Sequence, residues 1–149
     1  MALAWCELSA AAHQAQASDL AAEYHNLFIG LGRGELVPYG SWYLTGFLME
    51  KPLVQLRRDL ATLGYQRPTD NCEPEDHAAA LCEVMAMLIR DATGSLQIQR
   101  QFFETHLGSW METFFRDLQG ARNACFYRAV GGLGQTFMTL EKQYLNMLV

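Results

Sequence analysis

Residues 73–89 read EPEDHAAALCEVMAMLI, and this stretch decides the fold class. From Ala78 onward it is apolar on almost every side, with only Glu83 interrupting, over a length that suits a helix and exceeds a typical strand. Such a composition predicts a central, buried helix over residues 78–89. Ahead of it, Pro74 reads as a first-turn proline, and Glu73, Glu75 and Asp76 place carboxylates where a helix dipole favours them. Gly94 then closes the element.

The flanking sequence has the same punctuation. Residues 2–15 form an Ala- and Leu-rich helix, and Ser18, as an N-cap before Asp19, opens a second one reaching Phe28. Leu20, Tyr24, Leu27 and Phe28 give that helix an apolar stripe. Residues 30–40, GLGRGELVPYG, cannot be regular helix or strand, and a compact domain rarely keeps so long a loop without using it. Ser41 caps a short helix bearing Trp42, Tyr43, Phe47 and Leu48. Pro52 and Gly64 bracket a helix over 53–63, with Leu53, Leu56, Leu60 and Leu63 inward and Arg57, Arg58 and Asp59 outward. Further helices cover 95–107, 110–118 and 124–148. In the last, Gly131, Gly132 and Gly134 each cost several tenths to about 1 kcal/mol against alanine, which is tolerable where another helix packs closely. No segment alternates as a strand does. The expectation is all-α: one domain over residues 1–149, a bundle of six to seven helices.

Bulk properties narrow the function. Half of the 149 residues are apolar and 18% are charged, as in ordinary globular proteins. A net charge of -5 disfavours a nucleic-acid partner and suits a cationic one. Cys6, Cys72, Cys82 and Cys125 form no short pair, so reduced, mostly buried thiols and a cytoplasmic location are expected. The opening apolar residues lack a basic leader and are broken by Glu7, which argues against an export signal, and no run is long enough to span a membrane.

Chemical motifs are weak. The loop Gly30-x-Gly32-x-Gly34 lacks the Gly-Lys-Ser/Thr ending of a phosphate loop and follows a helix rather than a strand. Cys72, His77 and Cys82 are spaced by five, which does not align metal ligands on one helix face, and no metal or other cofactor is expected. Asp76 and His77 are adjacent, so they point about 100° apart and cannot form two members of a triad. What stands out is Asp70, Glu73, Glu75 and Asp76, four carboxylates within seven residues beside the most apolar helix. The plain reading is a solvated acidic turn. The functional one is a receptor for an arginine-bearing peptide with an apolar continuation, since guanidinium forks match carboxylates.

Three regions together resemble the TorD-like chaperones of molybdoenzymes. Tyr24-x-x-Leu27-Phe28-x-Gly30, the loop through Pro38, and Tyr43 resemble that family's first signature. Glu73-Pro74-Glu75-Asp76-His77 matches its second, E-P-x-D-H; His106, Trp110 and Phe126-Tyr127 follow its third region. The resemblance implies a cytoplasmic helper, not an enzyme. It would bind the twin-arginine signal peptide of an apo-molybdoenzyme catalytic subunit and delay export until the cofactor is inserted. Asp76 and His77 fall on the part implicated in peptide recognition. Glu73, Glu75, Trp42 and Tyr43 complete the expected peptide-binding set, and Tyr24, Leu27, Phe28, Gly30, Pro38 and Pro74 the structural one. Family members usually carry further helices before the first signature. The shorter start here implies exposed apolar surface and a monomer or a domain-swapped homodimer. The alternative is a helical interaction subunit that packs on a folded partner and binds no signal peptide. Neither the client enzyme nor the guanine-nucleotide binding reported for some relatives can be read from these residues.

Overall fold

A computed structural model describes residues 1–67, 72–91 and 95–147. Among these residues there are eight α-helices and no strand: α1 (Ala2–Gln14), α2 (Ala17–Tyr24), α3 (Gly40–Thr45), α4 (Lys51–Thr62), α5 (Ala78–Arg90), α6 (Leu96–Phe102), α7 (Met111–Gly120) and α8 (Phe126–Asn146). The all-α expectation holds, with more helices than the six to seven anticipated. The chain divides into two compact units: Met1–Val37 with Met111–Val149, and the continuous Pro38–Trp110.

In the first unit α7 and α8 pack along each other, and α1 and α2 pack on α8. The glycines of α8 make this approach possible. A Cβ on Gly131 would lie 2.8 Å from the Phe115 carbonyl oxygen and 3.1 Å from the Gln119 amide nitrogen, and one on Gly134 would enter the Phe115 ring. The N-terminus of α8 is capped from a distance. The buried Glu23 carboxylate on α2 accepts the amides of Cys125, Phe126 and Tyr127 at 2.7, 3.1 and 2.8 Å. Glu35 accepts those of Arg122 and Asn123 at 2.6 and 3.1 Å. The Arg122 amide is the main reason its carboxyl lies below the ordinary value, against a smaller upward push from burial.

The Tyr24–Gly30 part of the first signature sits here, whereas Pro38 and Tyr43 belong to the second unit. After α2 the chain continues as a π turn, His25–Ile29. Leu27 is fully buried, while Tyr24 and Phe28 meet Tyr127 at ring distances of 6.4 and 5.3 Å. Gly30 reverses the chain at φ 60°, and Gly34 lies against the backbone of Leu27 and Phe28, where no Cβ fits. Phe137, Leu140 and Tyr144 of α8, and Met147 just past its end, remain exposed at helical spacing.

The second unit buries Leu53 and Leu56 of α4, Leu81, Val84, Met85 and Leu88 of α5, and Phe102, Phe103, Leu107 and Trp110. Pro52 stands in the first turn of α4. Gly64, at φ 82°, ends that helix, with the Tyr65 amide reaching back to the Leu60 carbonyl at 2.9 Å. Ser95, the first residue of the helix expected over 95–107, caps α6 through Ile98.

Several sequence expectations are corrected. Helix α2 starts at Ala17 with Gln16 as its cap, and the Ser18 hydroxyl donates to Asp19 rather than capping the helix. Tyr39, not Ser41, precedes α3, and Ser41 is buried within that helix. Pro74 is not a first-turn residue: α5 begins at Ala78, with no acid in its first turn. Nor is α5 buried all round, since Met87 and Ile89 are 41% and 56% exposed. All four cysteines are unpaired and exposed, because their helices and loops turn them outward rather than into a core. Asp70, Gly94 and Leu148 lie outside the described residues.

The glycine notch yields a test. Gly131→Ala, which must displace backbone, lowers unfolding free energy by about 1–3 kcal/mol despite alanine's better helix propensity. Gly132→Ala, whose Cβ would meet only Gln119 Oε1 at 3.8 Å, raises it by up to about 1 kcal/mol. Denaturant titrations of the two variants separate these outcomes.

Candidate functional site

The E-P-x-D-H motif is the turn that starts α5, and it supports a second helix start as well. Residues 38–41 run alongside it in a single antiparallel bridge between Tyr39 and His77. The Gly40 amide donates to the Asp76 carbonyl and the Ala78 amide to the Pro38 carbonyl, both at 2.9 Å. The Asp76 carboxylate turns inward: it is 3% exposed, and its Oδ2 accepts the Ser41 amide in the first turn of α3 at 2.7 Å. His77 caps α5 itself, its Nδ1 accepting the Ala79 amide at 3.1 Å. Two consecutive side chains thus satisfy the orphan donors of two helices. Asp76 Oδ1 and Ser41 Oγ are buried and find no partner among the described residues.

Aromatic packing stiffens the arrangement. The Tyr39 ring meets the His77 ring edge-on at 5.1 Å. Tyr43 stacks on Trp110 at 5.4 Å, and Trp110 Nε1 donates to the His106 carbonyl at 2.7 Å. Gly40 faces that indole so closely that a Cβ would lie 3.1 Å from Nε1. Trp42 and Tyr43 are half-buried on α3, and neither is among the groove-lining residues described next.

Beside the motif, the second unit has an open groove of about 380 Å³. Ala79, Ala80, Val84 and Met87 of α5 and Leu60 of α4 supply its apolar surface. Glu73, Pro74, Glu75 and His77 line one side, with Arg57, Arg67 and Glu83 also present. Positions 80, 83, 84 and 87 share one face of α5, while Leu81, Met85 and Leu88 face the core. Burial lowers the His77 pKa, and the nearby Glu73 and Asp76 charges oppose this without reversing it. A neutral ring agrees with Nδ1 acting as an acceptor.

The acidic cluster is therefore divided. Asp76 lies beneath the surface and Asp70 is outside the described residues. Glu73 lines the groove. Glu75 is held by Arg57 in a two-pronged contact at 2.9–3.2 Å and by Arg67 Nη1 at 3.6 Å. Burial alone would raise its carboxyl, but the Arg57 hydrogen bond and the two guanidinium charges outweigh it and hold the pKa below the ordinary value. Periodicity had placed Arg57 and Glu83 as mere surface and interruption. Their part in the groove arises from residues separated in sequence, which no local pattern carries. Asp59, expected outside, instead binds the buried His106 Nε2 at 2.8 Å.

Comparison with known proteins decides the family. A model described as "Nitrate reductase delta subunit" matches residues 1–116. The chain belongs to this family, that of the TorD-like chaperones. It is 30% identical to "Chaperone protein TorD" of Vibrio cholerae serotype O1 (strain ATCC 39541), over 88% of this chain and 64% of that protein. Likenesses of 28% to the protein of the same name in Vibrio atlanticus and 29% to that in Psychrobacter sp. cover 85% and 88% of the chain. The chain spans 64% of the length of each of these relatives. This TorD-like chain has no helix among the described residues long and apolar enough to cross a membrane, and no cluster of groups there could hold a metal.

Two tests follow. Asp76→Ala strands the Ser41 amide and lowers unfolding free energy by about 1–3 kcal/mol, while Asp76→Asn, which keeps an acceptor, loses less. The second concerns pH. Burial holds both His77 and His106 below the ordinary value of 6.5. Below that value the unfolded chain takes up protons that the folded chain refuses, so their stabilisation is full above pH 6.5 and declines as pH falls through the lowered pKa values. Thermal melts from pH 7.5 to 5.5 show a falling midpoint, and His106→Gln, which can still donate to Asp59, flattens the slope.

Proposed function

We propose that this chain is a non-catalytic, cytoplasmic maturation chaperone that holds the twin-arginine signal segment of an apo-molybdoenzyme catalytic subunit. One observation carries the reading: the groove joins an apolar helix face to a carboxylate-bearing turn, beside the family's own motif. Glu83 makes no ion pair among the described residues, and Glu73 stands at the same opening. A cationic peptide with an apolar continuation complements both halves. Asp76 serves by holding the turn from beneath. His77 does so by capping α5, with the rest of its ring toward the groove.

The energies required are modest. A micromolar complex corresponds to about -8 kcal/mol. Burying one or two large apolar side chains, at about 1.5–3 kcal/mol each, and pairing an arginine approaches this after ordering costs. Membership in a chaperone family and relatives named as chaperones support a role in holding rather than reacting.

The exposed stripe of Phe137, Leu140, Tyr144 and Met147 favours a second reading, a subunit that packs on a folded partner. Calorimetry separates the two. A peptide with two adjacent arginines followed by an apolar run binds the wild type with a Kd of order micromolar. Met87→Ser and Glu83→Gln, both on the outer face of α5, each weaken it several-fold with unchanged circular dichroism. A flat titration with the wild type overturns the reading.

A further inference from the structure

Within the groove, the carboxylate with the best geometry for a guanidinium already has one. Arg57 Nε lies 3.0 and 3.2 Å from the two Glu75 oxygens and Nη2 lies 2.9 Å from Oε2, the fork-to-fork arrangement that planar guanidinium favours. Arg67 approaches the other oxygen at 3.6 Å. All three side chains line the groove. The Glu75 side chain is only 15% exposed, whereas that of Arg57 is 50% exposed and extends from α4 into solvent. A carboxylate sunk in a groove is thus covered by an arginine whose own side chain is half in solvent.

We infer that Glu75 is the arginine subsite of the groove and that Arg57 is the chain's own occupant of it, a built-in competitor that an incoming arginine displaces. This rests on the peptide-binding reading above. Binding is then an exchange of one guanidinium for another at the same oxygens, and net charge at Glu75 is unchanged by it. The resident pair is half in water, where such pairs are weak, so exchange is accessible. Its presence still lowers affinity for every cation and penalises those that cannot replace the fork. Lysine, a point charge without the planar pair of donors, exchanges poorly, so the device also selects arginine over lysine. Were Arg57 only a tie between α4 and the motif turn, removing it would loosen the groove and weaken binding. The competitor predicts the reverse sign.

The test titrates the same two-arginine peptide, and its two-lysine counterpart, against the wild type, Arg57→Gln, Arg57→Lys, Glu75→Gln and the Arg57→Gln/Glu75→Gln double variant, with thermal melts on each. Arg57→Gln should bind the arginine peptide about two- to fivefold tighter, the range that loss of a half-exposed pair permits. Arg57→Lys should fall between it and the wild type, and narrow the preference for arginine over lysine. Glu75→Gln should cost more affinity in the Arg57→Gln background than alone. Equal or weaker binding by Arg57→Gln and Arg57→Lys, beside normal binding by the wild type, overturns this inference and leaves the peptide-binding reading intact. No heat from any protein overturns both.

Discussion

The structure depends on a turn of two residues that supplies acceptors to two helices. A helix start leaves several amides without partners, and buried ones cannot be left so. Asp76 satisfies one at α3 and His77 one at α5, while the single bridge at Tyr39 and His77 settles two more. Neither histidine nor aspartate could do both tasks alone, because adjacent side chains point in different directions. That divergence, which rules out a catalytic pair, is what lets the same dipeptide cap two elements. The direction of α5 and hence its groove face follow from this junction, as does the seating of Gly40 against Trp110.

The fold was legible where the information is local. Proline before Leu53 and glycine after Leu63 bracket α4 as read, Ser95 caps α6, and the periodic leucines of α4 face inward at Leu53 and Leu56. The glycines of α8 were recognisable as a cost that a close neighbour must offset, and Phe115 and Gln119 are that neighbour. Errors arose where a local signal had a distant competitor. Ser41 looks like a cap, but Asp76, far along the chain, takes that position. Pro74 looks like a helix start, but the strap at residues 38–40 holds the motif in a turn and delays α5 to Ala78. Asp59 sits on the polar side of α4 by spacing, yet His106 reaches it across 47 residues.

The acidic cluster was legible in the sequence, whereas the contacts of its members were not. Four acids in a short span drew attention to the turn before α5, yet sequence could not show that Asp76 is turned inward and Glu75 already paired with Arg57. The carboxylates that line the groove are divided between the motif turn and Glu83, a residue that sequence presented only as a flaw in an apolar helix.

The two units differ in how the chain supplies them. One is a single uninterrupted segment from Pro38 to Trp110, and the other needs both ends of the chain, with Glu23 and Glu35 waiting for amides at residues 122–127. During synthesis the continuous unit has all its residues once Trp110 leaves the ribosome. The N-terminal helices must meanwhile stay without their counterpart until α7 and α8 have been made, because loop closure over that separation cannot be rewarded earlier. The chain thus passes through a half-finished state, in which Leu27 and the carboxylate of Glu23 have not yet received the packing and hydrogen bonds of the completed unit.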